Sequence, residues 1–282
     1  MRRLGAKSKK AYILSTWLVP SLPLVIALVT WVNGLDGTEA WLSKHANVFG
    51  VIRRVQEVSI WLYAICWVLF PFAVWYKRKG DPWLVEKIQF ILDRYQQGAF
   101  DLGGLETDPP KDHNRVTLFR HQKGFFVRHW SKKVWFWPWG NHGPLCDFLV
   151  PVMRSGHMSK KTSIAFFVSD DSDKTEGIAG QAYASGSAVY VANLPEMNST
   201  TGSRNKRDYA ERTYCDTQMI DSYISKERPM PRSVVAIPVE RHGIIWGVIV
   251  LDSRYPYGVT ESAVENYRLT VALIGHLLER AS

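Results

Sequence analysis

Two long runs without a single charged residue constrain this chain more than anything else in it. One extends from Ala11 to Leu35 and the other from Val58 to Tyr76. Each is long enough to cross the hydrocarbon layer of a bilayer as a helix, which takes about 20 residues. A secretory signal has a shorter apolar region and a small-residue cleavage site. A second apolar run following the first also argues against it. Pro20 and Pro23 interrupt the first run. In water they would break a helix; in lipid they are tolerated, usually with a kink. Trp17, Trp31, Trp61 and Trp75 fall toward the ends of the runs, where interfacial anchors belong.

The formal charge of +9 is not spread evenly. Residues 1–79 hold 11 Lys and Arg against 3 Asp and Glu, a balance of +8, and residues 80–282 hold 24 against 23, a balance of +1. A nucleic-acid binder carries its excess on the folded domain, so nucleic acid is not expected as a partner. The excess here flanks the apolar runs: Arg2, Arg3, Lys7, Lys9 and Lys10 before the first, and Lys77, Arg78 and Lys79 after the second. The connecting segment has Lys44, Arg53 and Arg54 against Asp36, Glu39 and Glu57. Positive flanks stay inside. The expected organisation is a basic N-terminus (1–10), a two-helix transmembrane hairpin (11–79) and a cytoplasmic domain (80–282). The expected location is the cytoplasmic (inner) membrane, with membrane lipid as a partner. Thr38–Glu57 reads as a helix continuing into the second span, too short for an outer sensing domain.

In the soluble region, Asp81-Pro82 marks a helix start, with Leu84, Ile88, Ile91, Leu92 and Tyr95 at helical spacing and Gly98 at its end. A loop over 99–113 precedes a strand at Arg115–Gln122, in which Val116 and Leu118 point one way. Residues 125–148 concentrate Phe and Trp among Arg128, Lys132 and Lys133. That stretch reads as a hairpin packed on the core. A basic aromatic loop on the bilayer face and a single-strand stacking platform are the alternatives. Strands are expected at Phe148–Arg154 and Thr162–Ser169, with Asp170–Asp173 as a solvated turn. A short helix over Glu176–Ser185, a strand at Ala188–Ala192, a polar loop at Glu196–Arg207 and a short helix at Asp208–Tyr214 follow. Ser233–Val239 and Ile244–Asp252 form a hairpin around Arg241-His242-Gly243. A last helix, capped by Thr260, places Val264, Tyr267, Val271, Ile274 and Leu278 on one face. The pattern is that of an α+β domain with a central antiparallel sheet flanked by helices.

Three pieces in this order resemble a GAF domain over residues 83–281. They are Gly177–Gly186 with Val189-Tyr190-Val191, the hairpin Ser233–Val239 with Trp246–Leu251, and the C-terminal amphipathic helix. The resemblance implies a small-molecule sensor or a dimerising regulatory module, with a pocket between sheet and short helices at roughly 157–226. Tyr183, Asn193, Tyr209, Asp216 and Trp246 are the ligand-binding residues expected on that basis, and a homodimer is the expected assembly. The motifs of cyclic-nucleotide-binding and bilin-binding members do not appear, so no cofactor can be named.

Catalysis is not expected. The GAF-like free methionine sulfoxide reductases use several cysteines in the pocket region, whereas only Cys215 falls there. Its neighbour Asp216 would oppose thiolate formation. His113, His121, His129, His142 and His157 lack metal-site spacing. No P-loop or hydrolase elbow is present. The expected function is a membrane-anchored cytoplasmic sensor passing its signal to its membrane helices or to a partner. The competing readings are a dimeric scaffold at the membrane and a ligand-triggered membrane-disrupting effector.

Overall fold

The structure is a computed structural model. It describes residues 8–35, 46–78, 80–100, 113–123, 146–157, 165–169, 171, 174–266 and 268–280. Most of the aromatic stretch 125–148, the loop core 101–112, His129, His142 and Tyr267 lie outside them. So do residues 38–45 and the first residues of the Thr162–Ser169 segment. The chain divides into two compact units, Leu4–Trp83 and Leu84–Ala281.

The first unit is a helical hairpin of α1 (Lys9–Asn33) and α2 (Ala46–Lys77). Both helices are long and apolar enough to cross a membrane. The helix expected to lead into the second span is continuous with it from Ala46 onward. Pro20, Pro23 and Pro71 sit inside helices that run on through them. Few side chains are buried between the two helices, among them Leu22, Val29, Val32, Cys66 and Ala73. The outward faces are apolar, with Trp17 72 % and Trp67 78 % exposed. A water-soluble hairpin would show the reverse pattern, since contiguous exposed apolar surface of this kind marks an interaction with lipid or protein. Polar bonds stitch the pair. Gln56 Nε2 donates to the carbonyls of Val32 (2.9 Å) and Leu35 (3.2 Å), and Thr30 Oγ1 lies 2.9 Å from Tyr63 Oη. At the other end, the Ser8 backbone N–H donates to Tyr76 Oη at 3.1 Å.

The second unit is α+β. Its elements are α3 (Pro82–Gly98), β1 (Asn114–Lys123), β2 (Asp147–Ser155), β3 (Phe166–Val168) and α4 (Gly177–Ser185). They are followed by β4 (Val189–Val191), α5 (Ser203–Thr213), α6 (Thr217–Ile224), β5 (Ser233–Arg241) and β6 (Ile244–Ser253). Two further helices, α7 (Glu261–Asn266) and α8 (Arg268–Arg280), complete the unit. All strand pairs are antiparallel. The sheet order is β3-β2-β1-β6-β5-β4. The Asp81 carboxylate accepts the Trp83 N–H at 2.9 Å, the cap expected from Asp-Pro. The β5–β6 turn takes positive φ at His242 (51°) and Gly243 (72°), as a tight primed hairpin turn requires.

Two expectations need correction. The polar loop ends at Gly202, because α5 begins at Ser203 rather than at Asp208. A further helix, α6, follows with Asp216 as its N-cap.

Helices α4, α5 and α6 cover one face of the sheet. There Ile178, Ala182, Tyr209, Ala210 and Ile220 close over Phe119, Leu149, Val234, Ala236, Val248 and Val250. The opposite face buries Leu118, Val235, Ile249 and Leu251. On that side α8 approaches so closely at Gly275 that a Cβ there would lie 2.5 Å from the Glu240 carbonyl oxygen. Buried Ile88, Leu92 and Tyr95 give α3 its inner stripe. Gln89 and Gln96 tie it to the carbonyls of Arg154 and Asn114, each at 3.1 Å.

Candidate functional site

Beneath α5 and α6 the apolar face of the sheet gives way to polar side chains. In β1 the alternation that turns Phe119 toward the helices turns Thr117 and Arg115 the same way. In β6, Asp252 follows Val248 and Val250 on that face. Arg115 and Asp252 stand opposite each other in the β1–β6 register, and the guanidinium engages the carboxylate through both Nε and Nη2. The pair is nearly buried, at 13 % and 12 % side-chain exposure. Thr117 pairs with Arg154 of β2 in the same way.

His157, just past β2, joins this group. Its Nε2 lies 2.9 Å from Thr117 Oγ1 and its Nδ1 2.6 Å from Arg154 Nη2. An arginine can only donate, so Nδ1 must accept and the ring must be neutral, with its proton on Nε2. Thr117 then accepts from the ring. Burial, followed by the nearby positive charges of Arg154 and Arg115, lowers the His157 pKa to about 2 from the ordinary 6.5. Geometry and electrostatics therefore agree on a neutral imidazole.

Two phenols approach from the covering helices. Tyr209 of α5 is buried and donates to the Pro231 carbonyl at 2.9 Å. Tyr223 of α6 is half-buried. Burial raises the pKa of both, and Arg115 partly offsets the rise while Asp252 and Cys215 add to it. Cys215 Sγ lies 3.4 Å from the Thr213 carbonyl.

Of the five residues expected to line a pocket, Tyr183 and Tyr209 belong to one apolar cluster against the sheet. Tyr209 alone shares the electrostatic environment of the Arg115–Asp252 pair. Tyr183 stacks on His121, with ring centroids 5.0 Å apart. Asn193 has φ 50°; its N–H donates to the Pro256 carbonyl and its own carbonyl accepts from Arg212. Asp216 accepts the Gln218 N–H at 3.0 Å as the cap of α6. Trp246 lies under the Arg120 guanidinium, 5.6 Å from the ring centroid.

Arg115, Thr117, Arg154, Tyr223 and Asp252 were missed by the sequence reasoning. A signal for Asp252 was present, as the one charged residue of the apolar strand Ile244–Ser253, whereas Arg115 shares its strand with Arg120, His121 and Lys123. Cys146 packs with Phe148, Val150 and Ala165, away from the cluster that holds Cys215. None of the three cysteines forms a disulfide.

No family model and no curated protein matches the chain. Solved structures do, at low identity. They include fRMsr of Staphylococcus aureus in complex with substrate (14 % identity, 59 % of this chain and 73 % of that one, TM-score 0.34). The type II free methionine-R-sulfoxide reductase of Thermoplasma acidophilum is another (12 %, 68 % and 93 %, TM-score 0.36). A third is the GAF domain of an Acinetobacter phosphoenolpyruvate-protein phosphotransferase (12 %, 58 % and 69 %, TM-score 0.31). The antiparallel sheet order, the short helices over one face and the closing hairpin and helix are the elements that the resemblance to a GAF domain implies.

Proposed function

We propose that the chain is a membrane-anchored sensor whose GAF-like unit, on the cytoplasmic side, binds a small polar molecule beneath α5 and α6. The observation that carries this reading is the buried group of Arg115, Asp252, Arg154, His157 and Thr117. A sheet that served only as a packing surface would gain nothing from it. Burying an ion pair is at best about neutral for stability compared with apolar residues of the same volume. His157, which accepts from Arg154, adds a further buried polar group beside that pair. Such costs persist where a site needs the groups. The orientation is supported by the positive flanks of the apolar runs. Signal would pass along the chain through α3, which four residues separate from the end of α2.

Binding of a ligand to the folded state raises its stability. Full-length protein in lipid nanodiscs should therefore carry a co-purified small molecule detectable by native mass spectrometry. It should also show a saturable thermal shift of several degrees with that molecule, and Thr117→Val should weaken the response. An empty protein that no metabolite shifts would sink the sensor.

The exposed apolar side chains of α8 favour a second reading, a dimeric scaffold. Leu269 is 85 % exposed and Leu273 lies one turn beyond it. A stable dimer without any ligand response would support that alternative.

A further inference from the structure

We infer that the end of the hairpin where α1 begins and α2 finishes is a docking site for anionic phospholipid headgroups. The inference rests on the reading of α1 and α2 as membrane spans. Two short basic segments far apart in sequence are brought to one place. The Ser8 N–H to Tyr76 Oη bond fixes the register, so Lys9 and Lys10 of α1 stand at the same end as Lys77 and Arg78 of α2. All four are exposed. Aromatic rings stand among them. Lys9 Nζ lies 5.6 Å from the centre of the Trp83 ring, and Tyr12 meets that ring edge-on at 6.4 Å. Trp75, more than half exposed, lies beside Tyr76 at the same end. The described carboxylate nearby, Asp81, already accepts the Trp83 N–H.

Among the described residues, four cations against one carboxylate give this end a balance of +3. The described residues of the opposite end include Arg53 and Arg54 against Glu57, a balance of +1, and Arg53 is paired with Glu57 at 3.4 Å. Exposed cations flanked by Tyr and Trp suit the headgroup layer, where rings sit at the interface and ammonium and guanidinium groups reach phosphate. A zwitterionic headgroup gives the cations little net attraction, and an anionic one gives each of them about a fewfold.

The test uses the full chain in nanodiscs of mixed phosphatidylglycerol and phosphatidylcholine, with retained lipid read by native mass spectrometry after mild delipidation. The native protein should retain phosphatidylglycerol over phosphatidylcholine about tenfold, taking only part of the summed surface attraction. The preference should shrink in high salt. It should fall to near parity in Lys9→Gln/Lys10→Gln/Lys77→Gln/Arg78→Gln. It should persist in Arg53→Gln/Arg54→Gln and in Lys9→Arg/Lys10→Arg/Lys77→Arg. If the fourfold variant does not reconstitute, Lys9→Gln and Arg78→Gln should each lower the preference on their own. Equal retention of both lipids by the native chain, or an undiminished preference in the neutralised variants, overturns the inference. Flotation with pure phosphatidylcholine vesicles tests the spans separately: a chain that floats without lipid preference refutes the headgroup site alone, and one that never floats refutes both.

Discussion

His157 is a proton-linked element of the soluble unit. Its folded pKa of about 2 lies below the ordinary 6.5 because burial and two arginines disfavour the imidazolium. Between those two values the unfolded chain binds more protons than the folded one. The stabilising contribution is therefore fully present above pH 6.5 and is lost as pH falls below it. Chemical denaturation at pH 7.5 and at pH 5 should show lower stability at the acid end, and His157→Gln should flatten the difference. A slope that survived the substitution would place the linkage elsewhere. At the Arg115–Asp252 pair, Asp252→Asn leaves a buried guanidinium without its counter-charge. Urea melts should show a loss of about 3–5 kcal/mol, the usual cost of breaking such a pair from one side. Arg115→Met/Asp252→Leu should recover most of it, since an apolar pair can replace a buried ion pair at little cost.

At the scale of elements, α6 depends on its cap. Asp216→Ala should cost about 1 kcal/mol of unfolding free energy, and Asp216→Asn should be nearly silent because asparagine caps equally well. A role for Asp216 in ligand binding would show differently, as weakened binding in Asp216→Asn without lost stability. The seat of α8 is tighter. Gly275→Leu has no room beside the Glu240 carbonyl, so it should separate the helix from β5 and lower the melting temperature. Unchanged melting would mean that the helix does not sit there.

The elements legible in the sequence were those with strong local punctuation or periodicity. Asp81-Pro82 opened α3, Gly186 closed α4, and His242-Gly243 set the hairpin between β5 and β6. The start of α5 was not legible, because Ser203–Arg207 is polar throughout and buried Tyr209, Ala210 and Thr213 come only near its end. Helix α6 has one buried residue, Ile220, too few to show a period. The candidate site was legible only in part, for a different reason. Its members come from β1, β2 and β6, and cross-strand register decides that Arg115 meets Asp252 and Thr117 meets Arg154. Reading each strand alone reveals which side chains alternate, but not which partner each one meets.

For the whole molecule, the charge distribution predicts a topology. A membrane-impermeant maleimide added to intact cells should label Lys44→Cys and leave Ser8→Cys unlabelled. The opposite result would invert the hairpin and place the α+β unit outside. The bond made by Gln56 bears on how such a hairpin could move. Its amide holds the carbonyls of Val32, near the end of α1, and of Leu35, two residues beyond it, from the body of α2. Neither helix can slide along the other without first breaking both contacts. Pulled mechanically from the bilayer by the soluble end, the two helices should come out in a single rip rather than two, and Gln56→Leu should split that event.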